Sequence, residues 1–392
     1  MKKALSLAVV VCILVGVVSC GKREDQSESK SEKQKPIKIG AIFAATGPAS
    51  FLGAPEAKTA EMLVEKINSE GGLLGRQLKL IVKDSGGSPE KAVSFAKQLI
   101  EEENVTAIIG PSTSGETLQI KPICEKAGMV LLSCAAAEKI VNPVADYVFK
   151  TPQKDSQAAA WIFKTIKDMD ITQVALVTGN TGFGKAGKEQ VEKAAKEYGV
   201  DIVISEVYDK RSTDLAGILT KVNGTDAEAV INWSIVPAQA IIAKNMKQLG
   251  MEIPLFQSHG FGNLKYVEQA GKAAEGIIFP CGRLLIAEKL PDDHPQKDVL
   301  VEYKNSYEDR YNESVSTFGG HAYDALMIAV NAIKQAGTTD KKAVRDAIEN
   351  MQGFVGTAGT FNFSPTDHNG LDMDAFEMLT VEDGKFVPLE KK

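Results

Sequence analysis

Between residues 37 and 280, short apolar runs alternate with stretches whose apolar positions recur every three or four residues. Apolar runs of a few residues read as buried strands, and the 3.6-residue period reads as amphipathic helix. A first cycle predicts strands at 37–43, 78–83, 106–109 and 129–132, with helices at 54–68, 89–102 and 117–127. The punctuation agrees. Gly71-Gly72 closes the first helix, and Ser88-Pro89 supplies an N-cap followed by proline at the first helical position. A second cycle predicts helices at 153–169, 185–198, 214–222, 238–249 and 264–270, with strands at 173–177, 201–207, 228–231 and 255–257. The β-α-β-α order implies parallel sheets covered by helices, and the restart implies two of them.

Residues 280–295 are irregular and rich in Pro and Asp. Three helices are expected after them, near 296–311, 319–336 and 340–351, and then short β pieces at 359–363, 375–380 and 385–388. Helices left over after two complete α/β units need a surface to cover. The economical arrangement returns them to the first sheet and sends the last strands to the second. The chain would then cross between sheets near 146–151, 276–284 and 354–358, and a few extended residues at each crossing make a hinge. The expected partition is 37–147 plus 281–356 for lobe 1 and 148–280 plus 357–392 for lobe 2.

The N-terminus says where the chain works. Lys2 and Lys3 precede an apolar run, Ala4 to Val18, that is too short to span a bilayer comfortably. It ends in Val17-Val18-Ser19-Cys20, small residues before a cysteine, which resembles a bacterial lipoprotein signal. Residues 1–19 then read as the signal peptide, with Cys20 acylated as the first residue of the mature chain. Residues 21–36, GKREDQSESKSEKQKP, hold no large apolar side chain and read as a flexible tether behind the lipidated Cys20. The lipid would be the only attachment to a membrane. The whole chain has 392 residues and a formal net charge of −6. That length suggests two lobes, and the acidic balance gives no electrostatic case for nucleic acid. Of the cysteines, Cys12 leaves with the signal. Cys124, Cys134 and Cys281 allow at most one bridge and read first as small apolar fillers, with a Cys124–Cys134 pairing left open.

In doubly wound sheets, ligands bind outside the carboxyl ends of the strands. The loops to read are 44–52, 84–87, 110–116 and 133–137 on the first sheet, and 178–184, 232–237 and 258–262 on the second. The run Gly110-Pro-Ser-Thr-Ser-Gly115-Glu116-Thr117 is one residue from a phosphate-binding loop, with Glu116 where lysine should meet the phosphates. A second near-match, Gly179-Asn-Thr-Gly-Phe-Gly184-Lys185-Ala186, lacks the hydroxyl that would bind Mg²⁺. Two flawed copies on different sheets point to one geometric cause: small residues admit backbone N–H groups to a ligand at a helix N-terminus. Neither Ser112 nor Ser114 lies in G-x-S-x-G, and His259, His294, His321 and His368 show no metal-ligand spacing. No metal or cofactor is expected. His294 reads as a solvated turn, His321 as a packed or capping residue at a helix start, and His368 as a turn residue. His259 differs because it sits in a post-strand loop. What remains is a cradle suited to a carboxylate, with Ser112, Thr113 and Ser114 on one side and Cys134, Ala135, Ala136 and Ala137 on the other.

The runs IGAIFAATGPASFLG, EMLVEKINSEGGLLGRQLKLIVKDSGGSPEKAV and AIIGPSTSGETLQIKPICEKAGMVLLS, followed by FQSHGFGN and AAEGIIFP, resemble the leucine/isoleucine/valine-binding type of periplasmic solute receptor. The resemblance covers nearly the whole mature chain. It implies an α/β periplasmic-binding fold of type I: two doubly wound parallel-sheet lobes joined by a three-crossover hinge, a ligand clamped between them, and an ABC transporter permease as partner. By resemblance, Ser114 holds the ligand carboxylate, Ala135 and Ala137 add contacts, Phe183 closes over the ligand, and His259 falls where an acid grips the α-ammonium. Two positions depart from that pattern. Ala137 stands where Thr or Ser is usual, and His259 stands where Glu or Asp is usual. An imidazole cannot neutralise an ammonium, so an amino acid and an ammonium-free aromatic or aliphatic carboxylate both stay open as ligands. Phe51, Phe183, Trp233 and Phe261 would supply an apolar wall for either. The expected protein is a lipid-anchored, non-enzymatic receptor on the periplasmic or cell-surface side that delivers its ligand to an ABC importer. A sensor of the same fold, and an exported hydrolase using Ser114 or Cys134, are the alternatives.

Overall fold

The computed structural model describes residues 35–390. The expected signal peptide, the lipidated Cys20 and most of the expected tether lie outside the described residues. The first sheet is built from β1 (Ile37–Phe43), β2 (Leu78–Asp84), β3 (Ala107–Ile109), β4 (Val130–Ser133) and β5 (Val148–Lys150), all parallel, in the spatial order β2-β1-β3-β4-β5. Its crossovers are α1 (Ser50–Ser69), α2 (Pro89–Glu101) and α3 (Ser114–Lys126).

The second unit runs α4 (Asp155–Asp168), β6 (Gln173–Gly179), α5 (Gly182–Tyr198), β7 (Asp201–Tyr208), α6 (Ala216–Asn223), β8 (Ala229–Trp233), α7 (Ala238–Gln248), β9 (Leu255–Gln257), α8 (Leu264–Ala270) and β10 (Ile278–Cys281). Then come α9 (Lys297–Tyr311), α10 (Thr317–Ala336), α11 (Lys341–Glu349), the hairpin β11 (Phe354–Val355) and β12 (Thr360–Phe361), and finally β13 (Glu377–Glu382) and β14 (Lys385–Pro388). The second sheet has the order β14-β13-β10-β9-β8-β6-β7, parallel except where β13 and β14 join antiparallel. Among the described residues no helix is long and apolar enough to cross a membrane.

The three late helices return to the first sheet, as patterning predicts. In α10, Ala322, Ala325, Leu326, Ala329 and Ile333 are fully buried and face Ala60, Leu63 and Val64 of α1. Each large apolar side chain so buried is worth about 1.5–3 kcal/mol. Asp324, on the same helix and fully buried, accepts hydrogen bonds from the backbone N–H groups of Thr357 (2.6 Å) and Ala358 (2.8 Å) and from the Thr357 hydroxyl (3.0 Å). It thereby ties α10 to the segment expected as the third crossing.

Strand membership differs from the expected partition in two places. β5 pairs with β4, so the chain leaves the first sheet after Lys150 rather than after 147. Val148 and Phe149 are fully buried there, and a three-residue strand is too short to announce itself by alternation. At the other end, β12 pairs with β11 rather than joining the second sheet. Phe361, Phe363, Leu371 and Ala375 pack in the first sheet's core, so the return to the second sheet comes at β13. The three late cysteines are free and buried, with Cys124 and Cys134 in separate core clusters.

Candidate functional site

The two near-phosphate loops turn out to be two threonine-capped helix starts. α3 begins at Ser114, three residues before the expected start. Thr113 is its N-cap, and the Thr113 hydroxyl accepts from the Glu116 N–H (3.4 Å) and donates to the Glu116 carboxylate (2.6 Å). Glu116 is therefore a capping partner, not a misplaced phosphate lysine. Burial pushes its carboxyl above the usual range, while the hydroxyls of Ser85 and Thr113 pull it back. α5 starts the same way, the Thr181 hydroxyl accepting from the Gly184 N–H at 3.0 Å. The two starts meet. A Cβ placed on Gly182 would lie 2.7 Å from both Cα and N of Gly115, so main chain touches main chain across the gap between the sheets.

Behind that contact lies a chamber of about 20 Å³. Ser112, Ser114, Cys134, Ala135 and Ala136 wall it from the first sheet, and Phe183, Ile235, His259 and Gly260 from the second. Leu52, Pro152, Phe318 and His321 complete the lining. In front of the contact is a larger cavity of about 380 Å³ whose lining includes Thr113, Asn180, Thr181, Lys185 and Lys210.

The first-sheet wall is held by serines. The Ser112 hydroxyl accepts the Ala44 N–H (2.9 Å) and donates to Glu56, a fully buried carboxyl that burial raises well above its usual range. Ser133 accepts the Ala135 N–H (3.1 Å), and Ser114 accepts the Ala137 N–H (3.2 Å). Ser114 keeps its own proton to donate, at the N-terminal end of α3 where partial positive charge favours an anion.

The opposite wall is largely apolar, with one polar side chain, His259. His259 lies with Nε2 3.6 Å from Oδ1 of Asp155, the first residue of α4. Neither nitrogen of His259 nor either oxygen of Asp155 has a hydrogen-bond partner. Burial drives His259 well below the usual imidazole value, assisted by the positive charge of Lys150, and lowers His321 to about 3. Burial raises Asp155 and lowers Lys150, whose ammonium donates to the carbonyls of Ala136 and Gln153. Both imidazoles are neutral at physiological pH. The rings of Phe183, Trp233 and Phe376 stand edge-on around His259, with centroids 5.3, 5.6 and 5.7 Å away. Among the described residues no histidine is hydrogen-bonded to Ser114 or Cys134. Burial holds the Cys134 thiol well above its usual value, so neither side chain is an activated nucleophile.

A profile of the family described as "Periplasmic binding protein" matches residues 36–385. The chain belongs to the periplasmic binding protein family. Within that family it is 26% identical over 360 residues to the Leu/Ile/Val-binding protein homolog 3 of Brucella melitensis biotype 1, covering 90% of this chain and 94% of the relative. Among solved structures it is similar to an extracellular ligand-binding receptor from Rhodopseudomonas palustris HaA2, with a TM-score of 0.85, 26% identity, and coverage of 90% of this chain and 99% of that one. It is also similar to the branched-chain amino acid transporter substrate binding protein LivJ from Streptococcus pneumoniae, solved with isoleucine. There the TM-score is 0.80, the identity 27%, and the coverage 90% and 97%. The periplasmic-binding fold of type I expected from the sequence is the fold of these neighbours.

The structure sorts the expected site residues by their place around this chamber. Ser112, Ser114, Cys134, Ala135, Ala136, Phe183 and His259 share the inner chamber. Thr113 caps α3 and faces the outer cavity, and Ala137 contributes the N–H that Ser114 holds. Trp233 sits one layer back, over Gly187, where a Cβ would lie 1.9 Å from its Nε1. Phe261 is fully buried in the second sheet's core between Tyr266 and Phe279. Phe51 packs on Tyr266 at 5.1 Å and accepts a hydrogen bond on its carbonyl from Asn263 (3.0 Å), joining the two halves beside the chamber rather than lining it.

Sequence reading missed Phe318, His321 and Asp155. The first two start a helix that follows no strand, so the strand-end rule does not reach them. Asp155 looks like an ordinary acid in a first helical turn. Two other histidines also sit differently from their sequence reading. His294 is half-buried, with Nδ1 accepting the Gln296 N–H (3.1 Å). His368 is a buried residue stacked on Phe149 at 4.1 Å, not a simple turn residue.

Proposed function

We infer that the chain is an extracytoplasmic receptor that captures a small amino acid or related carboxylate by closing two lobes over it and delivers it to an ABC importer. The observation that carries this reading is the set of groups that both sheets bring around the chamber, whose volume of about 20 Å³ must widen to admit a ligand. The chamber is walled from both sheets, has helix-start amides and the Ser114 hydroxyl on one side and the neutral imidazole of His259 on the other, and is shut by the Gly115–Gly182 contact. The names of the relatives favour branched-chain amino acids as the starting ligands to test. The moving lobes comprise residues 35–150 with 283–375, and residues 151–282 with 376–390. Closure is a population shift, because a ligand bridges both walls only in the closed form. The receptor makes and breaks no covalent bond. Cys20 carries the lipid anchor, with residues 21–36 as the tether.

A thermal-shift screen of the purified mature chain against amino acids and aromatic and short-chain carboxylates tests the reading. At least one small carboxylate should raise the melting temperature in a saturable way, with micromolar or tighter binding by calorimetry. A flat response across the panel, or turnover of ester or amide substrates, would overturn it.

A further inference from the structure

We propose that the outer cavity is a second binding site, which takes an amphipathic organic anion and holds its charge with Lys185 and Lys210. This site is separate from the inner chamber on which the receptor reading rests. The chamber has about 20 Å³ and the outer cavity about 380 Å³, within the roughly 300–1,000 Å³ of small-molecule sites. Both near-phosphate loops of the sequence open on this outer space. Thr113 and Gly115 come from the first loop, and Thr181, Gly182 and Lys185 from the second. Lys185 stands where a phosphate-binding loop has its lysine, and the receptor reading gives it no role.

The lining has two characters. Pro48 and Pro89 on the first sheet's rim, and Phe183, Ile235 and Val236 on the second's, offer apolar surface. Among the described residues that line the cavity, Lys185 and Lys210 are the charged ones. The carboxylates nearby do not line it and are committed elsewhere. Asp84 accepts from the Thr46 N–H (3.2 Å), the Thr46 hydroxyl (2.7 Å) and the Gly86 N–H (3.0 Å). Glu116 accepts from the Thr113 hydroxyl (2.6 Å), and Asp209 pairs with Arg211 at 3.2 Å. Glu90 accepts from the Ser88 hydroxyl (2.7 Å) and feels Lys210 only through space. Among the described residues neither cavity lysine takes part in an ion pair; the adjacent Lys188 and Arg211 do. Two like charges on one cavity repel each other, and an anion bound between them removes that cost. The apolar rims select a carboxylate with a hydrocarbon or aromatic body over inorganic phosphate, which would leave them in water.

Titration calorimetry of octanoate on the full mature chain tests the site. Octanol is the same chain without the charge, and inorganic phosphate is charge without the chain. Octanoate should occupy a site that Lys185→Ala with Lys210→Ala weakens about tenfold, the scale of two partly exposed charge contacts. Ser114→Ala should leave that site unchanged, which separates the outer cavity from the chamber. Both lysines are exposed, so the melting temperature of the double variant should match that of the wild type. Octanol and inorganic phosphate should each bind at least about tenfold more weakly than octanoate. No octanoate binding, or binding that the double lysine variant leaves intact, would overturn the proposal. So would octanoate binding lost entirely in Ser114→Ala, which would place the anion in the chamber. Phosphate or octanol binding as tightly as octanoate would overturn the amphipathic anion as the ligand class. The receptor reading stands or falls separately, by the thermal-shift screen.

Discussion

The two walls of the chamber are built in opposite ways. On the first sheet, the Ser112 hydroxyl lies between Ala44 and Glu56, Ser133 holds Ala135, and Ser114 holds Ala137. On the other side, the His259 ring makes no hydrogen bond among the described residues and lies 3.6 Å from the buried Asp155. The first wall is preorganised and made largely of main chain, so it suits any carboxylate and tolerates alanine at 135–137, where the N–H groups matter and the side chains do not. The second wall offers few preformed hydrogen bonds, and discrimination between ligands is expected there. The difference explains how one half of a receptor can keep its cradle while the other changes what it accepts.

The sharpest way to break this comparison is to stop the walls from meeting. Gly182→Val would drive a side chain into the backbone of Gly115, and overpacking of this kind costs roughly 1–3 kcal/mol. Affinity should fall about tenfold or more by calorimetry while the melting temperature of the ligand-free protein stays put, because the clash exists only in the closed form. Normal binding, with normal compaction in small-angle scattering, would remove the contact from the mechanism.

Ser114 and Ser112 separate two roles within the first wall. Ser114→Ala should weaken ligand binding by roughly 1–3 kcal/mol, the loss of a charge-assisted hydrogen bond. Ser112→Ala should cost stability more than affinity, because its hydroxyl faces Glu56 and Ala44. Equal affinity losses for the two would merge roles that the geometry keeps apart.

A third test concerns a buried acid away from the chamber, Asp324. Burial raises Asp324 to about 7 in spite of its three donors. A folded value above the unfolded one means that the group's contribution to stability is full below about pH 4 and is lost as pH rises through about 7. The urea midpoint should therefore drift down over that range, and Asp324→Asn should flatten the drift. A slope unchanged by the substitution would show that Asp324 is ionised throughout. The smallest effect is expected at the cap: Thr113→Ala should cost about 0.5–2 kcal/mol of stability by urea titration.

Much of this architecture is legible in the chain. Hydrophobic period and connection rules place both sheets and send α9, α10 and α11 back to the first, and α8 occupies the predicted 264–270. Loops after strands are legible as a site because the fold class puts ligands there. The short elements are not. β5, β11 and β12 have two or three residues each, too few to show a period. Residues whose role depends on a neighbour far along the chain are not legible either. His321 reaches the chamber only because α10 folds back, and Asp155 matters only because His259, about a hundred positions later, comes to lie beside it. Trp233 shows the converse, since an aromatic at a strand end reads as cleft wall until Gly187 is seen to make room for it behind.

The bare meeting of Gly115 and Gly182 has a consequence for how such a receptor can diversify. A shutter with no side chain in it is indifferent to the chemistry of the cargo. Selectivity can be rewritten at the back of the chamber without retuning the motion, provided both helix starts stay free of side chains.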